Sequence, residues 1–540
     1  MHELYPRGVR RVLLVLAVLA LALPASAGAA HFRVVVDPNL TTADLPELAH
    51  LGAVGLLVPA NGPTTSRHQA RVALARGETE SAYLGGIPEG KPLIRVRRAA
   101  KRSTPTDSGP RAATILLGIP GDGPRANDRR YPIVVVGGGF DGVLTSDATR
   151  ISGLVSIADV APTAIGRADG LGWESHSDAA AYLTSLDDRI AAKNDVRLAT
   201  VLLALMALIV VAAVAPRLAP AVFPAGLVGN LAAGISGSSV HAVLVAIVAG
   251  VTVGGVVAIA RWARDPTVLG FVFTGVIAAY LIAMAIDPKL IAFSPWGAPQ
   301  NGRFYGISNE LETMLLVPAL GGAALLYRRF GLPGFAAVAL LSFVTVAGNR
   351  FGADGGGAVV LAVGFAALGV GLVGGSRRAA AVAVAGAIAL AAALVGIDAL
   401  TGGSSHVTRA LHGGPGELAG DLGRRLHLSW ERATSSWAAG LTTFGCLAAL
   451  VVLVVLFLRR RPTAAERAVP LAFLAALAAS LVVNDSPNDV AAVGLAGFAA
   501  LVLGRLAPDE SAGPARSAPG RRPLARDGWL RRRGERRAHA

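Results

Sequence analysis

A chain of 540 residues that is 53% hydrophobic and only 16% charged, with a mean hydropathy of +0.55, is too apolar to be an ordinary water-soluble protein. Its formal charge of +15 does not call for nucleic acid, because arginines gathered in short loops and a polar tail act as orientation signals beside a bilayer. The one cysteine, Cys446, excludes a disulfide framework, a zinc cluster and a thiol pair.

Residues 1–30 combine a basic stretch, an apolar core and the small-residue step "ASA", the pattern of a secretory signal peptide or, if uncut, a signal anchor. Both outcomes put residue 31 onward outside the cytoplasm. From 31 to 195, polar residues, prolines and turn signals separate the β-like runs "FRVVVD", "AVGLLV" and "YPIVVVGG". The helical runs "LPELAHL" and "SDAAAYLTSLDDRIAAKNDVR" stand among them, which predicts a small extracytoplasmic α/β domain.

Residues 196–507 predict a polytopic α-helical membrane domain. Segments long enough to cross about 30 Å of hydrocarbon fall near 198–215, 219–235, 239–260, 267–286, 307–326, 332–348, 355–375, 379–400, 436–458, 468–484 and 488–507, about 11 membrane helices in all. The second is short and flanked by prolines, so the sequence leaves it between a span and a re-entrant segment. Abundant Gly and Ala let such helices pack closely where no hydrophobic drive exists between them.

With residue 31 outside, the loops "RWARD" (261–265), "YRR" (327–329), "GGSRR" (374–378) and "RRRPTAAER" (459–467) and the basic tail 508–540 all fall on the cytoplasmic side. The predicted location is therefore the plasma membrane, with the tail disordered near anionic lipid.

The same topology sends four polar segments to the outer face: "NGRFYGISNELE" (301–312), "GNRFGADGGG" (348–357), the loop 401–435 and "NDSPND" (484–489). "GRFYG" and "NRFG" each set an arginine just before a helix that enters the membrane. A helix N-terminus with an added guanidinium suits a phosphate. Arg303, Tyr305, Asn309, Asn349 and Arg350 are thus candidate headgroup-binding residues, although the arginines could equally snorkel to lipid phosphates.

Glu310 and Glu312 are offset by two positions and cannot share one helix face. Glu310, beside Asn309, is the candidate for a polar cavity and for a general base, against the alternative that it pairs with a neighbouring arginine. Asp354, Asn484, Asp485, Asn488 and Asp489 are candidates to line the same pocket, and its carboxylates could hold a divalent cation against a diphosphate. The loop 401–435 offers His406, Arg409, Arg424, Arg425, His427 and Trp430, an amphipathic basic and aromatic set that suits a headgroup layer or a cap over the site. His406 is the candidate proton acceptor there, with His427 as the other choice.

The motifs "RFYGISNE", "GADGGG", "SSHVTRAL…GRRLHLSW" and "VVNDSPNDVAA", after "GVLTSDATRISGLVSIADVAPTAIG", resemble a family of uncharacterised bacterial envelope proteins. In that family an alkaline-phosphatase-like extracytoplasmic domain precedes a polytopic membrane domain. The resemblance implies that Asp37 stands at the position of a metal-binding aspartate, and that Thr65 or Ser66 stands at the position of the nucleophile. The later Asp/His pairs of that superfamily have no counterpart, so the domain reads as degenerate and inactive. "GRFYGISNE", "NRFGADGGG" and "GRRLHLSW" also resemble, more distantly, motifs of O-antigen ligases and polymerases.

Three functions fit these residues: transfer of a polyprenyl-diphosphate-linked sugar at the outer face, transport or flipping of an envelope lipid, and non-catalytic scaffolding of envelope assembly. The expected partners are membrane lipids, a lipid-linked saccharide or envelope-assembly proteins, and no nucleic acid. Polar residues near one end of several helices, rather than midway along them, favour binding or transfer over transport.

Overall fold

A computed structural model describes residues 32–79, 90–98, 113–299, 304–348, 350–352, 355–373, 385–386 and 414–504. The expected signal segment, the expected span 379–400 apart from 385–386, and the tail 508–540 lie outside the described residues.

The N-terminal region is α/β. Its strands are β1 (Arg33–Val36), β2 (Ala53–Val58), β3 (Thr64–Thr65), β4 (Arg97–Arg98), β5 (Thr114–Leu117), β6 (Arg125–Ala126), β7 (Tyr131–Val136), β8 (Val143–Thr145), β9 (Leu154–Ser156) and β10 (Gly172–Glu174). Eight form one mixed sheet in the order β10-β8-β2-β7-β5-β1-β4, with β9 also on β2, while β3 and β6 pair separately. The β-branched runs seen in the sequence supply its centre: β2 is antiparallel to β7 and parallel to β8 and β9, and every residue of β2 is buried.

Burial on both faces follows from the pleat, which sends alternate side chains to opposite sides. Ala53 and Leu57 meet Leu74 of α2 (Arg67–Arg76) and Val160 of α3 (Val160–Ala164). Val54 and Leu56 face Leu45 and Leu48 of α1 (Leu45–Ala49), together with Leu183, Leu186 and Ile190 of the long helix that follows the sheet.

Helix α4 (Ala179–Val214) runs 36 residues without a break, about 54 Å at the usual rise. Asp178 starts it by accepting the N–H of Ala181 at 3.0 Å. Its first half lies on the sheet, and its second half exposes Leu198, Leu202, Met206 and Ile209. The composition change at 195/196 marks where this helix changes surroundings; the helix itself continues through it.

The remaining helices are α5 (Val222–Ser236, with a 3-10 lead-in at Pro216–Ala221), α6 (His241–Trp262), α7 (Pro266–Ile286), α8 (Lys289–Ala292), α9 (Asn309–Phe330), α10 (Leu332–Ala347), α11 (Gly355–Leu372), α12 (Gly414–Thr434), α13 (Trp437–Arg459), α14 (Ala464–Val483) and α15 (Pro487–Gly504). Among the described residues nine helices are long and apolar enough to cross a membrane, and α10 is a shorter apolar helix. The chain is a mostly helical, multi-pass type of protein with a small N-terminal α/β region.

Two geometric facts settle how the short segments run. His241 at the start of α6 pairs with Asp195 at 3.1 Å, about 28 Å along α4 from its end at Val214. The chain between them must climb that height, so 216–236 runs the length of the bundle and does not dip in and return. Likewise α10 begins beside the end of α9 and finishes beside its start, where Ile307 N–H donates to Gly352 O at 3.0 Å.

Helix α9 is the axis of the bundle, buried without a gap from Glu310 to Leu326. It packs against α7, α10, α11, α14 and α15. Small residues allow the close approaches: a Cβ at Gly364 would sit 3.0 Å from that of Ala476, and one at Gly497 would sit 2.6 Å from the Phe473 ring. Large apolar side chains of α4, α6 and α13, such as Met206, Val253, Val257, Val451 and Val452, point outward from the bundle.

Candidate functional site

The polar residues gather at the end of the bundle that carries the α/β region. The turn before α9 and the turn before α11 are joined by the Ile307–Gly352 hydrogen bond. Gly306 makes this contact feasible. Its φ of +78° is costly for any other residue, and a Cβ there would lie 2.0 Å from Gly352 O. The two similar sequence motifs are therefore neighbours in space. Ser308 then caps α9, its hydroxyl accepting the N–H of Leu311 at 3.2 Å.

Glu310 and Glu312 enter the bundle on opposite sides of α9, and both are buried. Glu310 pairs with the guanidinium of Arg197 on α4, which also donates to Gly297 O at 2.9 Å. Glu312 accepts from Asn484 Nδ2 at 2.7 Å, and the same amide donates to Ser480 Oγ at 2.8 Å. A carboxylate withdrawn from water needs such partners, because desolvation otherwise exceeds what burial returns.

Asn309 donates to Asp485 Oδ1 at 3.1 Å and to Ser486 Oγ at 3.3 Å. Arg432 of α12 reaches the same turn, with Nη1 2.7 Å from Asp485 O, 3.2 Å from Asp485 Oδ1 and 3.0 Å from Ser486 Oγ. Asn488 accepts from the hydroxyl of Thr443 on α13. Asp489 is exposed on the first turn of α15, close enough for its charge to act on Glu310.

Arg350, Arg424, Arg425 and His427 are exposed at this end. Arg425 also donates to Val483 O at 2.9 Å. Tyr305 lies under the guanidinium of Arg150, 4.1 Å from its ring centroid, which joins the α/β region to the turn before α9. Arg303, Asn349, Asp354, His406 and Arg409 lie outside the described residues.

The loop 287–299 is held by residues that sequence reasoning did not single out. Lys193 is fully buried and donates to Ala292 O and Ala298 O, both at 2.6 Å. Asn230 Oδ1 accepts the Trp296 N–H at 2.8 Å, and the Trp296 indole donates to Thr200 Oγ1 at 3.1 Å. Lys193 and Arg197 carried a visible signal, since "AAKNDVRLATVLL" sets two cations one turn apart where an apolar run starts.

Asp37, Thr65 and Ser66 lie in the α/β region. Asp37 is buried and accepts the Asn39 N–H at 2.9 Å, an Asx turn at the end of β1. Thr65 is buried in β3. Ser66 caps α2, accepting the Gln69 N–H at 3.3 Å and donating to Gln69 Oε1 at 3.1 Å. Asp159 accepts from the Ser146 hydroxyl, and its burial pushes the carboxyl up to about 6, against that hydrogen bond and with help from nearby Asp147. Among the described residues no group of three or more His, Cys, Asp or Glu side chains is placed to hold a metal ion.

Compared with known proteins, the chain matches no family description, no curated protein and no solved structure.

Proposed function

We propose that this is an envelope membrane protein that binds, at the outer face, a lipid-linked precursor carrying a diphosphate. The observation that supports this most is the meeting of separated polar segments at one end of the bundle, through Ile307–Gly352, Asn309–Asp485 and Arg432–Asp485. Exposed Arg350, Arg424 and Arg425 supply cationic groups beside two helix mouths, the combination that suits phosphate oxygens. The buried carboxylates serve this mouth as scaffolding: Glu310 is engaged by Arg197 and Glu312 by Asn484.

Orientation rests on the charges at the other end. Arg261, Arg264, Arg328, Arg329, Arg459, Arg460 and Arg467 all lie at helix ends or in the turns between them, away from the α/β region, and such an excess of arginine marks the cytoplasmic side. The α/β region is then extracytoplasmic and the membrane is the plasma membrane. The count of 11 spans is supported by the bundle's parity. Helix α11 ends near the start of α14, where a Cβ on Gly371 would lie 3.1 Å from that of Ala468, while α12 sits at the opposite end. That α11 and α12 lie at opposite ends of the bundle is what supports the reading with 11 spans.

Transfer of the bound group to an acceptor is the catalytic form of this reading. Its base would be a loop histidine, His406 or His427, since Glu310 is already paired. A second reading, a scaffold for envelope assembly, is favoured by the α/β region, where Ser66 is committed to a helix cap and Asp37 to a turn.

The discriminating experiment is depletion of the protein followed by mass spectrometry of lipid-linked intermediates, with complementation by Arg303→Ala, Arg350→Ala and Arg424→Ala/Arg425→Ala. The expected result is accumulation of one polyprenyl-diphosphate species that these variants fail to relieve. Unchanged intermediates with full complementation would overturn the site. Unchanged intermediates with lost protein partners would establish scaffolding instead.

A further inference from the structure

Helix α12 divides into three faces. Arg425, Ser429 and Arg432, at i, i+4 and i+7, point to the turn before α15 and donate to Val483 O, Asn484 O and Asp485 O at 2.9, 2.9 and 2.7 Å. Leu426 and Trp430, again one turn apart, are 44% and 60% exposed. Arg424 and His427, both exposed, occupy the remaining side with the half-buried Glu431. A helix pegged at one edge by backbone carbonyls keeps its other faces in fixed directions.

The apolar face is not isolated. Trp430 meets Phe444 of α13 edge-on, with ring centroids 6.2 Å apart. Phe444 is itself half exposed, beside Trp437 at 83% and Leu441 at 66%, and the same surface continues down α13 through Val451 and Val452. That surface of α13 has the composition of a lipid contact. Leu426 and Trp430 therefore extend it to the level where the polar turns begin, and an indole with one apolar and one polar edge is suited to that boundary.

From this geometry we infer that α12 is an interfacial helix seated in the headgroup layer of an anionic bilayer. Leu426 and Trp430 dip into the upper acyl region, while Arg424 meets lipid phosphates and Arg425, exposed beside its bond to Val483 O, stands at the edge of the same layer. Charge complementarity chooses the occupant. The exposed side chains flanking the apolar face are two arginines and a histidine, and basic residues beside an apolar strip are the pattern that binds anionic lipid surfaces. The inference shares Arg424 and Arg425 with the proposed diphosphate site; the apolar face of Leu426 and Trp430 belongs to it alone, so a label at 430 tests it separately from that site.

The test is spin-label accessibility on the full chain in nanodiscs, in a Cys446→Ser background. Single labels are placed through Trp430→Cys and His427→Cys, with Leu426→Cys replacing the first if it fails to assemble. In phosphatidylglycerol-containing discs the label at 430 should collide with oxygen more than with an aqueous nickel chelate, and the label at 427 should do the reverse. Phosphatidylglycerol titrated into the detergent-solubilised protein and read by native mass spectrometry should bind about five-fold more weakly to Arg424→Gln. A label at 430 that favours the nickel chelate would overturn the proposal. So would equal binding of phosphatidylglycerol by Arg424→Gln and the parent protein. Dipolar broadening at 430 that vanishes on dilution with unlabelled chain would assign the face to a second copy instead.

Discussion

Arg197 and Glu310 stand 113 positions apart in the chain and are paired side chain to side chain. The pair links α4, which arrives directly from the sheet of the α/β region, to α9, the axis of the helix bundle. Lys193, one turn earlier on α4, grips the carbonyls of Ala292 and Ala298. The α/β region thereby holds the mouth of α9 from two successive turns of one rigid helix, and from a third point where Arg150 covers Tyr305.

The Arg197–Glu310 pair should behave as a unit. Arg197→Met leaves Glu310, 5% exposed, without its guanidinium, and the loss should be about 3 kcal/mol, the lower end for a broken buried pair because Arg197 is 23% exposed. The double variant Arg197→Met/Glu310→Gln should recover most of it. Thermal unfolding of the four proteins of this cycle in nanodiscs reads the coupling. Additive losses would mean that the two side chains do not support one another.

Gly306→Ala should block assembly of the mouth. Its φ of +78° alone disfavours alanine by about 1 to 3 kcal/mol, and the new Cβ would meet Gly352 O at 2.0 Å. Gly254→Ala, where a Cβ meets nothing within 4 Å, is the matched control and should be neutral. Yields of folded protein by fluorescence-detected size exclusion compare the two directly.

Asn484 is the amide that accommodates Glu312. Asn484→Ala should lower stability by about 1.5 to 3 kcal/mol, the usual value of a hydrogen bond to a charged group. Asn484→Asp should be worse, since it sets a second carboxylate in place of the amide 2.7 Å from Glu312 Oε2. An aspartate variant as stable as the alanine one would overturn the role of the Asn484 amide in accommodating Glu312.

Asp159 gives the α/β region a pH dependence of definite sign. Burial raises its carboxyl from 3.8 to about 6, so the folded state binds the proton more tightly than the unfolded state. Its contribution is fully present below pH 3.8 and is lost as pH rises through about 6, a change of at most about 3 kcal/mol. Asp159→Asn keeps an acceptor for Ser146 and removes the ionisation. Thermal unfolding between pH 4 and 7 should show the slope in the parent protein and a flatter profile in the variant, with the variant the more stable at pH 7.

Much of the fold was legible locally. "FRVVVD", "AVGLLV" and "YPIVVVGG" became β1, β2 and β7 because β-branched runs bounded by turn residues have few other outcomes. The apolar stretches became helices because length and composition suffice for that. The offset of two between Glu310 and Glu312 did place them on opposite sides of α9, toward α4 and α14.

The composition boundary at 195/196 was misleading about the helix, since a change from polar to apolar residues records what surrounds a helix and not where its hydrogen bonds end. The second apolar segment could not be classified from its prolines. The height of His241 against Asp195 decided it.

An apolar multi-helix chain behind an α/β region can be read from neighbouring residues, because hydropathy and side-chain periodicity are local properties. Which charges are partners emerges from packing alone: Arg197 with Glu310, Asn484 with Glu312, Arg432 with Asp485. A charge in a low-dielectric interior is tolerated only beside a group that faces it across space, and nothing in the local sequence says which distant helix will bring that group.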